Sequence, residues 1–167
     1  MIFKKLLWLG LTLMACGAAA QVGVDPDWKE SEAPPPPAFQ PDPLIPIDMP
    51  PYVSLHFGVD PATLVISPDG IVRYVVVAKN ATGAISAMYE GIRCARGEVK
   101  TYARYSSSGH WAAVKDPQWQ ELNGKLPSRH ALALARQGVC QGRATSGNSV
   151  ADIVRALKSP TPYSTPY

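Results

Sequence analysis

Few residues of this chain combine a reactive type with a useful spacing. The three histidines, His56, His110 and His130, stand singly with no metal-ligand spacing between them. Each is expected to be a surface or loop residue. There is no Gly-x-Ser-x-Gly elbow and no glycine-rich phosphate loop, so a serine hydrolase and a nucleotide enzyme have no sequence support. No catalytic residue, metal or cofactor is assigned. The carboxylate of interest is Glu90, which alternates with Met88 and Ile92 and so shares their strand face. A carboxylate taken into an apolar face needs a partner or changes its pKa. The expected role is structural, at the sheet margin, paired with an arginine or backbone amides. The alternative is a functional acid, because perturbed carboxylates gather at sites. A second group is cationic and aromatic: Arg73, Tyr89, Arg93, Lys100, Tyr102 and Arg104 could line one sheet surface. Such a surface is either solvated or a shallow site for an anionic partner, since guanidinium forks suit oxyanions.

The elements that must position these residues lie between 70 and 105. Residues 71–79 are dense in β-branched and aromatic types, which suit a pleated, half-buried surface. Turn residues at 80–83 and at Arg96-Gly97 separate two further runs, 85–94 and 99–105. Three strands with short connections predict an antiparallel meander. Period-two alternation puts Val72, Tyr74, Val76 and Ala78 on one face, with Met88, Glu90, Ile92 and Cys94, and with Val99, Thr101, Ala103 and Tyr105. One face is then apolar and covered, the other charged and wet. Leu64–Ile66, part of 52–59 and Trp111–Val114 are expected to add strands, and Pro117-Gln118-Trp119 to plant Trp119 as a lid or core plug.

The runs Gly70-Ile71-Val72-Arg73-Tyr74, Tyr89-Glu90-Gly91-Ile92-Arg93-Cys94, Lys100-Thr101-Tyr102-Ala103 and Pro117-Gln118-Trp119 resemble a proteobacterial envelope family, the one named after cryptic neisserial protein one. The resemblance covers about residues 52–158. A later family cysteine matches Cys140, although Gln141 follows where the family often has proline, and Gly138-Val139 replaces an aromatic. The resemblance implies an envelope location and no activity, because the family has none to carry over.

The N-terminal residues 1–20 have the pattern of a secretory signal: Lys4-Lys5, an apolar run from Leu6 to Ala15, and Ala18-Ala19-Ala20 before Gln21. Leu13-Met14-Ala15-Cys16 also resembles a bacterial lipobox, which would make Cys16 a lipid-bearing first residue. Export to the periplasm is expected, with lipid anchoring as the alternative. Removing Lys4 and Lys5 takes the formal charge from +3 to +1, so no basic footprint for nucleic acid remains. In an oxidising compartment the remaining pair, Cys94 and Cys140, is expected to form a disulfide.

Residues 21–51 form a proline-rich arm, with ten of the seventeen prolines between 25 and 51. Such a segment favours polyproline II and serves as a semi-rigid spacer; Trp28, Phe39, Leu44, Ile45, Ile47 and Met49 interrupt it, so its later half is expected to pack along the domain. Ser128 is the expected N-cap of a short helix that ends at Gly138 and delivers Cys140. Ser149 opens a second helix with Val150, Ile153, Val154 and Leu157 on one stripe, and Pro160 stops it. The expectation is an α+β domain over 52–158, an antiparallel meander of four to six strands with two C-terminal helices on one face, followed by a disordered tail over 159–167. The expected function is a non-enzymatic envelope module whose partner is an envelope protein, glycan or lipid headgroup. The alternative is an envelope hydrolase using Glu90 with Arg73 or Arg93.

Overall fold

A computed structural model of the protein describes residues 25–106 and 108–159. The leader expected over 1–20, with Cys16, and the tail from residue 160 onward lie outside the described residues.

The centre is the predicted meander: β4 (Val72–Lys79), β5 (Ile85–Arg93) and β6 (Glu98–Tyr105), all antiparallel. Around it lie β1 (Ile45–Pro46), β2 (His56–Val59), β3 (Val65–Ile66), β7 (Trp111–Ala113) and β8 (Gln120–Glu121). The strands run β1-β2-β4-β5-β6-β7 across the sheet, with β3 also on β4 and β8 also on β6. The expected architecture is therefore present, with more short edge strands than the pattern indicates. Pro46 sits in β1 at the sheet margin, where a missing N–H breaks no central ladder.

The helical layer follows. Helix α1 (His130–Leu134) widens into a π-type turn over Ala135–Val139, then leads into a small hairpin of β9 (Cys140–Gln141) and β10 (Ala144–Thr145). Helix α2 (Val150–Lys158) is capped by Ser149, whose hydroxyl accepts from the Asp152 amide at 3.2 Å. Ile153 and Leu157 of its stripe are fully buried with Val72, Tyr74, Val76, Ile92 and Val99 of the sheet. Each such aliphatic side chain stabilises by roughly 1.5–3 kcal/mol on burial. The disulfide Cys94–Cys140 joins the end of β5 to the helical layer, as expected.

Two expectations fail here. Ser128 is not the N-cap of α1: Arg129 occupies that position without a side-chain cap bond, and the Ser128 hydroxyl pairs with the His130 ring. The alternation in β6 also fails beyond Thr101. Tyr89 faces Ala103 while Glu90 faces Thr101, so Tyr102 is an extra residue that bulges the strand. Val99 and Thr101 stay on the helix side, but Ala103 and Tyr105 turn to the other face together with Tyr102.

The second face is not wet. Val75, Val77, Ala87, Tyr89 and Ala103 form a second apolar cluster there, closed by Phe39, Leu44 and Trp111. The proline-rich arm lies along this face from Trp28 onward, not just through its later half. The molecule is thus three layers deep: helices, sheet, arm. Between 28 and 40 the arm joins no strand, as its prolines require.

Candidate functional site

Two clusters of polar side chains sit on opposite faces of the sheet. The first is buried under the helices around Glu90, which is 2% exposed. Its carboxylate accepts from Tyr74 OH at 3.0 Å and from Thr101 Oγ1 at 3.0 Å, and lies 2.8 Å from His130 Nε2. An ionised carboxylate only accepts, so Nε2 carries a proton. His130 is 4% exposed and stacks on Phe57 at 5.0 Å, 11° from parallel. Its Nδ1 meets Ser128 Oγ at 2.7 Å. Burial pushes the Glu90 pKa upward, but the His130 charge and the three hydrogen bonds prevail and hold it below the ordinary value. Burial and the Glu90 charge push the Tyr74 hydroxyl well above its ordinary value.

His130 is therefore not the surface histidine expected, and it takes the place of the arginine expected beside Glu90. Arg73 and Arg93 are not brought to Glu90 either: Arg73 faces the arm with Ser31, and Arg93 lies against Trp28. His56 and His110 are exposed.

The second cluster is the cationic and aromatic face. Five of its six expected residues come together, and the chain's own arm occupies them. The Glu30 carboxylate accepts from Lys100 Nζ at 2.8 Å, Tyr102 OH at 2.9 Å and Trp119 Nε1 at 2.9 Å. Burial raises the pKa of Glu30, yet these three donors outweigh it and hold the carboxyl below the usual range. Trp28 lies under the Arg93 guanidinium, whose carbon is 3.3 Å from the ring centroid, and meets Trp119 edge-on at 6.4 Å. Its Nε1 donates to the Asp69 carbonyl at 2.8 Å.

A third anchor is Ser31, whose amide donates to Asp69 Oδ2 at 2.9 Å while its carbonyl accepts from Arg73 Nη2 at 3.1 Å. Arg73 is 2% exposed and pairs with Asp69 at 3.0 Å, with a further bond to Ser67 Oγ. Burial favours the neutral Asp69 carboxyl, but the Ser31 and Arg73 hydrogen bonds win and depress its pKa. Tyr89 is buried 5.4 Å from the Tyr102 ring. Further along, Phe39 packs edge-to-face on Tyr105 and Trp111. Arg104 does not join this face. The bulge turns it to the other side, where Nη1 donates to Met88 Sδ at 3.2 Å.

The chain's own arm is thus anchored along this face as an extended segment. One ammonium, one O–H and one N–H converge on the Glu30 carboxylate, and Trp28 is seated two residues away under Arg93. The sequence pointed to the sheet residues and to Trp28 as a break in the arm, but not to Glu30, Ser31, Asp69 or Ser128. The available signal was Trp28 itself, because a plain spacer has no use for an indole. Trp119, half-buried, contacts both Glu30 and Trp28 at this face.

The sequence profile of the CNP1-like family matches residues 24–158. It thus begins at the arm, well before residue 52. Cryptic neisserial protein 1 of Neisseria gonorrhoeae (strain ATCC 700825 / FA 1090) is 28% identical over 109 residues, covering 54% of this chain and 54% of that protein. The chain thus spans about half the length of this curated relative. No solved structure matches the chain.

Proposed function

The chain belongs to the CNP1-like family, and from that premise we propose that it is an exported envelope protein that acts by binding, not by catalysis. One observation carries the binding reading. The face where cations and aromatics converge holds an extended acidic segment through the Glu30 carboxylate. Among anionic partners, a peptide carboxylate therefore fits best, ahead of a glycan or lipid headgroup. Glu90, by contrast, is sealed by Tyr74, Thr101 and His130, where a general acid would need to reach a substrate.

Export rests on the signal pattern of residues 1–20. An intact mass from the native host tests it. A chain beginning at Gln21 supports a soluble periplasmic protein, and an acylated Cys16 supports the lipid-anchored alternative. A chain retaining Met1 in the cytoplasmic fraction refutes export.

A second reading has one observation in its favour. Ser128, His130 and Glu90 form a hydrogen-bonded chain in the order nucleophile, base, carboxylate. The ring nitrogens are used in reverse, with Nδ1 on the serine and Nε2 on the carboxylate. Treatment with a fluorophosphonate probe separates the readings. Labelling that vanishes in Ser128→Ala would establish a hydrolase, whereas an unlabelled wild-type chain agrees with a binding protein.

A further inference from the structure

Resting on the reading of the sheet face as a receptor, we propose that its partner is a second copy of this chain. Two copies exchange arms, each Trp28–Phe39 segment lying on the sheet of the other.

The arm itself fits this face, and every copy carries one. Trp28 fits between Arg93 and Trp119, Glu30 meets Lys100, Tyr102 and Trp119, and Ser31 meets Asp69 and Arg73. Phe39 completes the row against Tyr105 and Trp111. All these contacts are made equally well by an arm arriving from another copy, because none depends on chain connection.

The way the arm is attached makes exchange feasible. Between 28 and 40 it contributes no strand to the sheet, so its release breaks side-chain contacts and the Ser31 backbone bonds to Asp69 and Arg73, and leaves every β-ladder intact. The chain bends at 41–43 between the arm and β1, and Pro41 and Pro43 lie in that bend. Opening this single bend carries the arm away from its own body. Proline restricts the arm to extended conformations, so an opened arm projects and does not collapse. Exchange between two copies is reciprocal and closes with two-fold symmetry, leaving no receptor empty. In an isolated chain the tethered arm has an effective concentration in the millimolar range, so a dilute chain holds its own arm. Exchange grows where copies are concentrated.

The test uses the full chain with Cys16→Ser, in two variants, Pro35→Cys and Ala113→Cys. Both positions are exposed, both line the groove between arm and sheet, and neither belongs to the anchors. The two variants are mixed and treated with a short bis-maleimide. Arm exchange predicts a covalent product that joins residue 35 of one chain to residue 113 of the other. Its yield should rise with concentration and collapse when Trp28→Ala and Glu30→Gln are added. Absence of that product at millimolar chain overturns the exchange. A peptide of residues 25–40 is added in parallel to the Trp28→Ala/Glu30→Gln chain, whose receptor is loosened. Its apparent affinity should exceed that for the wild-type chain by roughly tenfold, the fraction of free receptor having risen. Peptide binding without the cross-linked product would overturn the exchange and leave the receptor reading standing. Failure of the peptide to bind would overturn both.

Discussion

Glu90 draws its donors from three separate elements: Tyr74 on β4, Thr101 on β6 and His130 on α1. A buried carboxylate that loses its charged partner keeps the desolvation cost, so His130→Ala should destabilise by about 3–5 kcal/mol, read from urea unfolding. The pH dependence has a definite sign. Glu90 is held below its unfolded pKa, so its contribution is complete above the ordinary carboxylate range and is lost as the pH falls through the lowered folded value. Unfolding midpoints should decline in acid, and Glu90→Gln should flatten that decline. That Glu90 shares the covered face was legible in its alternation with Met88 and Ile92, but its place in a central strand, not at the expected sheet margin, was not. Its partner was not, because His130 lies 40 residues away and nothing in its own neighbourhood marks it as buried.

At the scale of elements, two points hold the helical layer: one ties it to the sheet and the other closes it on itself. The disulfide closes a separation of 46 residues. Replacing both cysteines with serine should cost about 4 kcal/mol in the chain-entropy account, measured as the difference in unfolding free energy. The second point is Gly138, where a Cβ would lie 2.7 Å from the Ala156 carbonyl carbon and 2.8 Å from the Leu157 nitrogen. Both are backbone atoms of α2 and cannot swing aside, so Gly138→Ala should cost about 1–3 kcal/mol by forcing α2 off the turn. An unchanged urea midpoint in that variant would refute the close packing. The meander, the cap at Ser149 and the buried pair Ile153 and Leu157 follow from local pattern, and the sequence showed them. The bulge at Tyr102 did not show, since one extra residue in a strand leaves no mark on composition. It nevertheless decides which side Ala103, Tyr105 and Arg104 take.

At the scale of the whole molecule, the arm changes what the protein presents. Composition alone made it a spacer, because prolines exclude ladders and helices. Packing by side chains was not excluded, and Trp28, Glu30, Ser31 and Phe39 use it. An acylated Cys16 would hold the body within about 30 Å of the bilayer, across the nine positions to Asp25, and not at the end of a long stalk. Trp28→Ala removes the guanidinium–indole contact, worth about 1–2 kcal/mol, so trypsin should cut after the exposed Lys29 roughly tenfold faster than in the wild type.

The seated arm is tested most directly by nuclear magnetic resonance of the indole N–H groups in the intact chain. Trp28 Nε1 donates to the Asp69 carbonyl and Trp119 Nε1 to the Glu30 carboxylate. Both signals should be shifted from free-indole positions and exchange slowly with water. The Trp119 signal should titrate with Glu30 at a pH below the ordinary carboxylate range, as the depressed Glu30 pKa requires, and the titration should be absent in Glu30→Gln. Free-indole shifts and solvent-rate exchange for both tryptophans would contradict the account, leaving the arm detached and the receptor open.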